Sequence, residues 1–120
     1  MPATNPPPTG FLRLYHGTDL ASAQDIINNG VSRARAAAWN ASGEFWATTD
    51  PANADYFAMA TLGVPARLEF DFPNDVLAAL VGDTPPRAIW QVGVHVEFLP
   101  ASFAALNRHS VNWVIVSPLP

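Results

Sequence analysis

The stretch FLRLYHGTDLASAQDIINNG, residues 11–30, changes its period in the middle. From Phe11 to His16 apolar and polar side chains roughly alternate, the two-residue repeat of a strand, and Gly17-Thr18 then interrupts it. Asp19 is a helix-capping type. Beyond it Leu20, Ala23, Ile26 and Ile27 fall at helical spacing, and Asn28-Asn29-Gly30 supplies residues that accept left-handed backbone angles at a helix end. A strand followed closely by a helix is therefore expected over 11–29, with His16 at the point where one gives way to the other.

Working outward, residues 1–10 hold four prolines and read as an extended leader or linker, with the folded domain over 11–120. Residues 31–42 are Ala-rich and are expected to form a partly helical, mobile connection. Glu44 to Thr48 is a short aromatic strand. It runs into Asp50-Pro51, an N-cap followed by Pro at the first helical position, so a helix is expected over 51–60. Residues 64–72 alternate, with Leu68, Phe70 and Phe72 on one face and Arg67, Glu69 and Asp71 on the other, the pattern of a half-buried strand. A helical turn over 74–80 and a loop over 82–87 come next. Residues 89–99 read as one strand, with Val92, Val94, Val96 and Phe98 sharing a face opposite Gln91, Gly93, His95 and Glu97. A helix from Pro100 to Asn107 and a strand over 113–116 close the chain. This order predicts a single α+β domain with a few short helices grouped on a sheet.

Composition narrows the function classes. The chain has 120 residues, of which 49% are hydrophobic and 13% charged, enough apolar content for one compact core. It has no cysteine, which excludes disulfides, thiolate metal sites and a cysteine nucleophile. A formal net charge of -4, with arginine the sole basic residue apart from histidine, makes nucleic acid the least favoured partner. No apolar run approaches bilayer length and no secretory signal is seen, so no membrane association is expected, and the cytoplasm is the default location.

Three places carry residues with chemical potential. His16 ends a strand just before Gly17, where backbone can approach a ligand closely. Phe45 and Tyr56 come from a strand and the helix after it, and convergence of their rings would make a slot for a flat heteroaromatic group. Glu97 lies near the end of a strong strand, where a carboxylate can stabilise a cationic sugar transition state and bond a ribose hydroxyl. Glu69, one strand earlier, is the alternative.

In this order and spacing the three segments resemble the ADP-ribosyltransferase superfamily, in particular its His-Tyr-Glu branch, over most of residues 12–98. Leu14-Tyr15-His16-Gly17-Thr18 is similar to the branch's first strand, Gly43-Glu44-Phe45 with Tyr56 to its second motif with Phe45 in place of a tyrosine, and Glu97 to its catalytic glutamate. The resemblance extends to rifamycin-modifying transferases and small toxin modules. It implies a split β-sheet sandwich and an NAD-dependent mono-ADP-ribosyltransferase, with no metal. It implies that NAD is held by His16, Gly17, Thr18, Phe45, Asn53 and Tyr56, with nicotinamide between the two rings, its amide on Gly17 and the adenosine ribose on His16. Glu97, His16 and Tyr56 would be the catalytic group. Arg13, or Arg33 and Arg35, would meet the pyrophosphate. The acceptor would be a protein side chain or a small molecule, water would make the protein an NAD glycohydrolase, and a non-catalytic NAD, ADP-ribose or protein-binding module is the alternative class. As a toxin-type effector domain it would be secreted or delivered and have an immunity or antitoxin protein as partner.

Overall fold

The structure is a computed structural model that describes residues 5–34, 36, 43–82 and 88–119. The strand-to-helix switch occurs where the sequence places it. Strand β1 (Phe11–Asp19) passes directly into helix α1 (Leu20–Asn29). Asp19 caps that helix through both carboxylate oxygens, one on the Ser22 N–H at 2.8 Å and one on the Ser22 hydroxyl at 2.9 Å. Gly30, at φ 78, ends it by returning its N–H to the Ile26 carbonyl.

Strand β2 (Phe45–Thr48) leads into helix α2 (Pro51–Met59), whose Asp50 cap accepts from the Ala52 N–H at 3.0 Å. Strand β3 (Pro65–Pro73), helix α3 (Asn74–Leu80), strands β4 (Ile89–Val92) and β5 (His95–Phe98), helix α4 (Phe103–His109) and strand β6 (Val111–Val116) follow. A single 3-10 turn, Pro100–Ser102, precedes α4. Of the expected connection at 31–42, residues 33, 34 and 36 are helical, while Arg35, residues 37–42 and most of the 82–87 loop lie outside the described residues.

The strands form one sheet in the order β4-β5-β2-β1-β3-β6, and each neighbouring pair is antiparallel. Its two halves differ in how they are joined. β1 and β3 pair along nine residues, whereas β1 and β2 share only the Tyr15–Thr48 pair. In a flat sheet β5 and β3 would be three strand spacings apart, about 14 Å. Yet Phe98 on β5 and Phe70 on β3 have ring centroids 6.4 Å apart, and Phe72 meets Phe98 at 5.5 Å. The sheet therefore curls about the β1/β2 junction and encloses its apolar face. Leu14, Phe45, Leu68, Phe70, Phe72, Val96 and Phe98 fill that face, and α1, α3 and α4 close it with Ala23, Ile26, Leu77, Phe103 and Leu106. This single cluster makes the protein one compact α+β domain.

Two expectations are corrected. Residues 89–99 are a hairpin and not one strand: Gly93, at φ 58, and Val94 form a tight turn, and Val92 pairs with His95. Crossing the turn reverses the parity, so Val92 lies on the face of His95 and Glu97 and is exposed, while Gln91 joins Val96 and Phe98. Strand β3 is buried on both faces, with Arg67, Glu69 and Asp71 enclosed by the charges they meet.

Helix α2 occupies the opposite, polar face of the sheet and comes unusually near to β1. A Cβ added to Gly17 would stand 1.8 Å from the Ala54 carbonyl oxygen and 2.8 Å from the Ala58 nitrogen, both backbone atoms that cannot move independently of the helix. Gly17→Ala is therefore expected to destabilise the fold by about 2 kcal/mol or more, read as a lowered urea midpoint at constant slope.

Candidate functional site

The polar face of the sheet can be read across its strands from the register. Trp90 and Val92 of β4 lie beside Glu97 and His95 of β5, these beside Trp46 and Thr48 of β2, and Thr48 beside Tyr15 of β1. Past Tyr15 the strands β1 and β2 diverge while α2 comes down on Gly17. A cavity of about 370 Å³ opens there, lined by Tyr15, His16, Gly17, Trp46, Ala47, Thr48, Ala54, Phe57 and His95.

The aromatic walls are not those expected. Phe45 is wholly buried in the core, where it stacks on His16 with centroids 4.2 Å apart, and Tyr56 is 73% exposed, edge-on to Phe57. Their rings do not converge. Trp46, one residue along β2, and Phe57, one residue along α2, line the cavity instead, at the same separation of eleven residues. The physical reason is parity: successive strand residues point to opposite faces, and Phe45 carries the larger share of the core. Trp46 and Phe57 escaped the sequence reading because either register satisfies the same spacing. Their exposure, 39% and 54%, is the signal that separates them from core.

His16 lines the cavity and is fixed by its neighbours. Nδ1 lies 2.5 Å from the Trp46 carbonyl oxygen. Burial pushes the imidazole pKa down to about 4, against the opposing pull of that carbonyl bond, so the ring is neutral at pH 7. A carbonyl oxygen can only accept, so Nδ1 carries the proton and Nε2 is the acceptor. Tyr15, on the next strand position, has its phenol pKa raised by burial first and by the Glu69 charge second.

Gly17 lines the cavity. Thr18 is buried on the opposite side of β1, and Asn53, in the first turn of α2, is half-buried and outside the lining. Arg13 is committed elsewhere: its Nε and Nη2 bond the two oxygens of Asp71 at 2.9 and 3.0 Å, in a second cavity, which accounts for its raised pKa. Arg33 is exposed, at a distance in sequence from every lining residue. Glu97 is 9% exposed and its register partners are Trp46 and Trp90. It shares the cavity's face but is not among the lining residues, where β5 contributes His95. Glu69 pairs in register with Tyr15 and lines the second cavity. No group of acidic and imidazole side chains among the described residues is arranged to hold a metal ion, and no described helix is long and apolar enough to cross a membrane.

No protein-family model, curated protein or solved structure matches the chain.

The lowered His16 pKa fixes a pH dependence. Between pH 6.5 and about 4 the unfolded chain binds a proton at His16 that the folded chain does not, so stability present above pH 6.5 is lost as pH falls toward 4. Urea unfolding across this window should show an acid loss steeper than that of His16→Gln by about one proton. Identical slopes would mean that His16 titrates normally in the folded protein.

Proposed function

We propose that this protein binds NAD with its nicotinamide end in the cavity beside Gly17, cleaves the nicotinamide glycosidic bond and transfers ADP-ribose to a protein side chain or small molecule. The observation that carries this reading is a cavity lined by both Trp46 and Phe57 together with His16 and Gly17. Two aromatic side chains from a strand and its following helix suit a flat, electron-poor ring. The walls are mainly apolar, and the backbone of Gly17 lines the cavity, with its Cα side covered by α2. The curl of the sheet about the β1/β2 junction also accords with the split sheet that the ADP-ribosyltransferase resemblance implies, with the difference that one residue pair keeps the ladder continuous.

In this mechanism the N-glycosidic bond breaks with its electron pair leaving on nicotinamide. The ribose is left as an oxocarbenium ion, stabilised by a carboxylate until the acceptor's nucleophile bonds C1′ and gives up its proton. Glu97 is the carboxylate assigned to this role, two residues and about 7 Å along β5 from His95. Neutral His16 is assigned to the adenosine ribose.

One observation favours a second reading, a non-catalytic module for NAD or ADP-ribose: the β5 residue on the cavity wall is His95 and not a carboxylate. Nicotinamide release from NAD separates the two. The transferase reading expects release by the wild type and a fall of about a hundredfold or more in Glu97→Gln. A rise in melting temperature with NAD but no release would establish the binding module. Neither shift nor release would sink both. Phe57→Ala and Trp46→Ala should each weaken NAD binding by about fivefold, from lost stacking of about 1 kcal/mol, and Phe57→Ala should cost more than Tyr56→Ala.

A further inference from the structure

A second cavity, about 420 Å³, lies on the same sheet face beyond Tyr15, between the extended residues Asn5 to Pro8 and strands β1, β3 and β6. At its wall is Glu69, 4% exposed. The Arg67 Nε donates to Oε2 at 3.1 Å, but Oε1 is buried and has no hydrogen-bond partner among the described residues. A carboxylate oxygen stripped of water and left unpaired is costly to the free protein, and a donor brought by a ligand would remove that cost.

The neighbouring charges say which kind of donor fits. Arg13 bonds both Asp71 oxygens, and one nitrogen of Arg67 bonds both Asp55 oxygens at 2.7 Å. Two guanidinium groups thus serve three carboxylates, a balance of one negative charge, and the oxygen without a partner is Glu69 Oε1. With one acceptor position at Glu69, the two-pronged bonding of a guanidinium has no match, whereas an ammonium is a compact donor that needs single oxygens in different directions.

A second polar residue, Asn112, lines the cavity beside a backbone irregularity. The register between β3 and β6 shifts between Glu69 and Asp71, and Asn112 opposite it is the one described non-glycine residue with positive φ, at 59°. This bulge turns the Asn112 side chain onto Asp71, where Nδ2 donates at 3.0 Å, so its amide oxygen is the acceptor it presents. Pro6, Pro8 and Val114 give the cavity apolar walls.

We propose that this cavity binds a primary alkylammonium group, from a free amine or a lysine side chain, on Glu69 and Asn112 with its alkyl chain against the prolines and Val114. The site does not depend on NAD binding at the first cavity.

Calorimetric titration of the full chain tests it. 1,5-Diaminopentane should bind at least about tenfold more tightly than 1,5-pentanediol, its neutral isostere, and Glu69→Gln should weaken the diamine by about tenfold or more. Should that variant fail to fold, Val114→Trp, which narrows the cavity and leaves every charged residue in place, should weaken it likewise. Nα-acetyl-lysine methylamide separates the sources: tighter binding than the diamine assigns the site to a polypeptide lysine, looser binding to a free amine, and both uphold an ammonium site. The proposal is overturned by equal binding of the diol, by undiminished diamine binding in a folded Glu69→Gln or Val114→Trp, or by no heat with wild type at about 10 mM diamine.

Discussion

The structure depends on how little holds β1 to β2. A sheet that continued its pairing through this junction would keep the two three-stranded halves side by side, and Phe98 could not reach Phe70 and Phe72. With one residue pair and the His16–Trp46 contact as the join, the sheet curls until the aromatic side chains of both halves meet. The same divergence leaves a gap on the outer side of β1. Gly17 lets α2 sit against that gap with backbone on backbone, and the 370 Å³ cavity is the space between helix, β1 and β2. Core formation and cavity formation are thus consequences of one local geometry.

Enclosing the apolar face leaves the polar one to carry most of the candidate ligand contacts, with His16 and Ala47 reaching the first cavity from the other side of their strands. On β3 the polar face is itself buried, and Arg67 shows what burial demands. Loss of water pulls its guanidinium pKa down, and the bonds and charges of Asp55 and Glu69 more than restore it. Arg67 also lies 5.8 Å from the Tyr15 ring centroid, within the range of cation–π attraction. Buried ion pairs of this kind add little net stability, because desolvation offsets the attraction, but breaking one leaves an uncompensated charge. Their effect is orientation: α2 is tied through Asp55 to β3 in the register that brings Phe57 to the cavity. The first cavity and the charged network behind Tyr15 are in this sense connected through α2 and Tyr15.

Much of the fold was legible because local signals and tertiary structure agree. Asp19 and Asp50 cap the helices they precede, Gly30 ends α1, and the Leu68-Phe70-Phe72 face is core. The misreadings share one cause, the two-residue period of a strand. Alternation runs unbroken through Gly93-Val94 because a two-residue turn preserves the look of the pattern while reversing the chain, so a hairpin reads as a longer strand. Charged residues on β3 read as solvent-facing because the sequence does not show which residues on other elements will neutralise them. His16 and Gly17 were identifiable at the cavity, but the aromatic partners were displaced by one position each, since an eleven-residue spacing cannot say which of two adjacent aromatics faces inward.

That displacement also sharpens the question of the carboxylate. On β2 the step from Phe45 to Trp46 changes faces, and on α2 the step from Tyr56 to Phe57 turns the side chain by about 100°. On β5, however, His95 and Glu97 share a face, so no change of parity separates them; they differ only in depth along the strand. Trp46 lies across from Glu97 and at the cavity wall as well, so its indole is the side chain common to both positions. A ligand ring stacked on the Glu97 end of Trp46 would place a ribose near the carboxylate, and one stacked toward Thr48 would place it near His95. On the reading proposed above, the choice between chemistry and binding alone reduces to where along one indole NAD would rest.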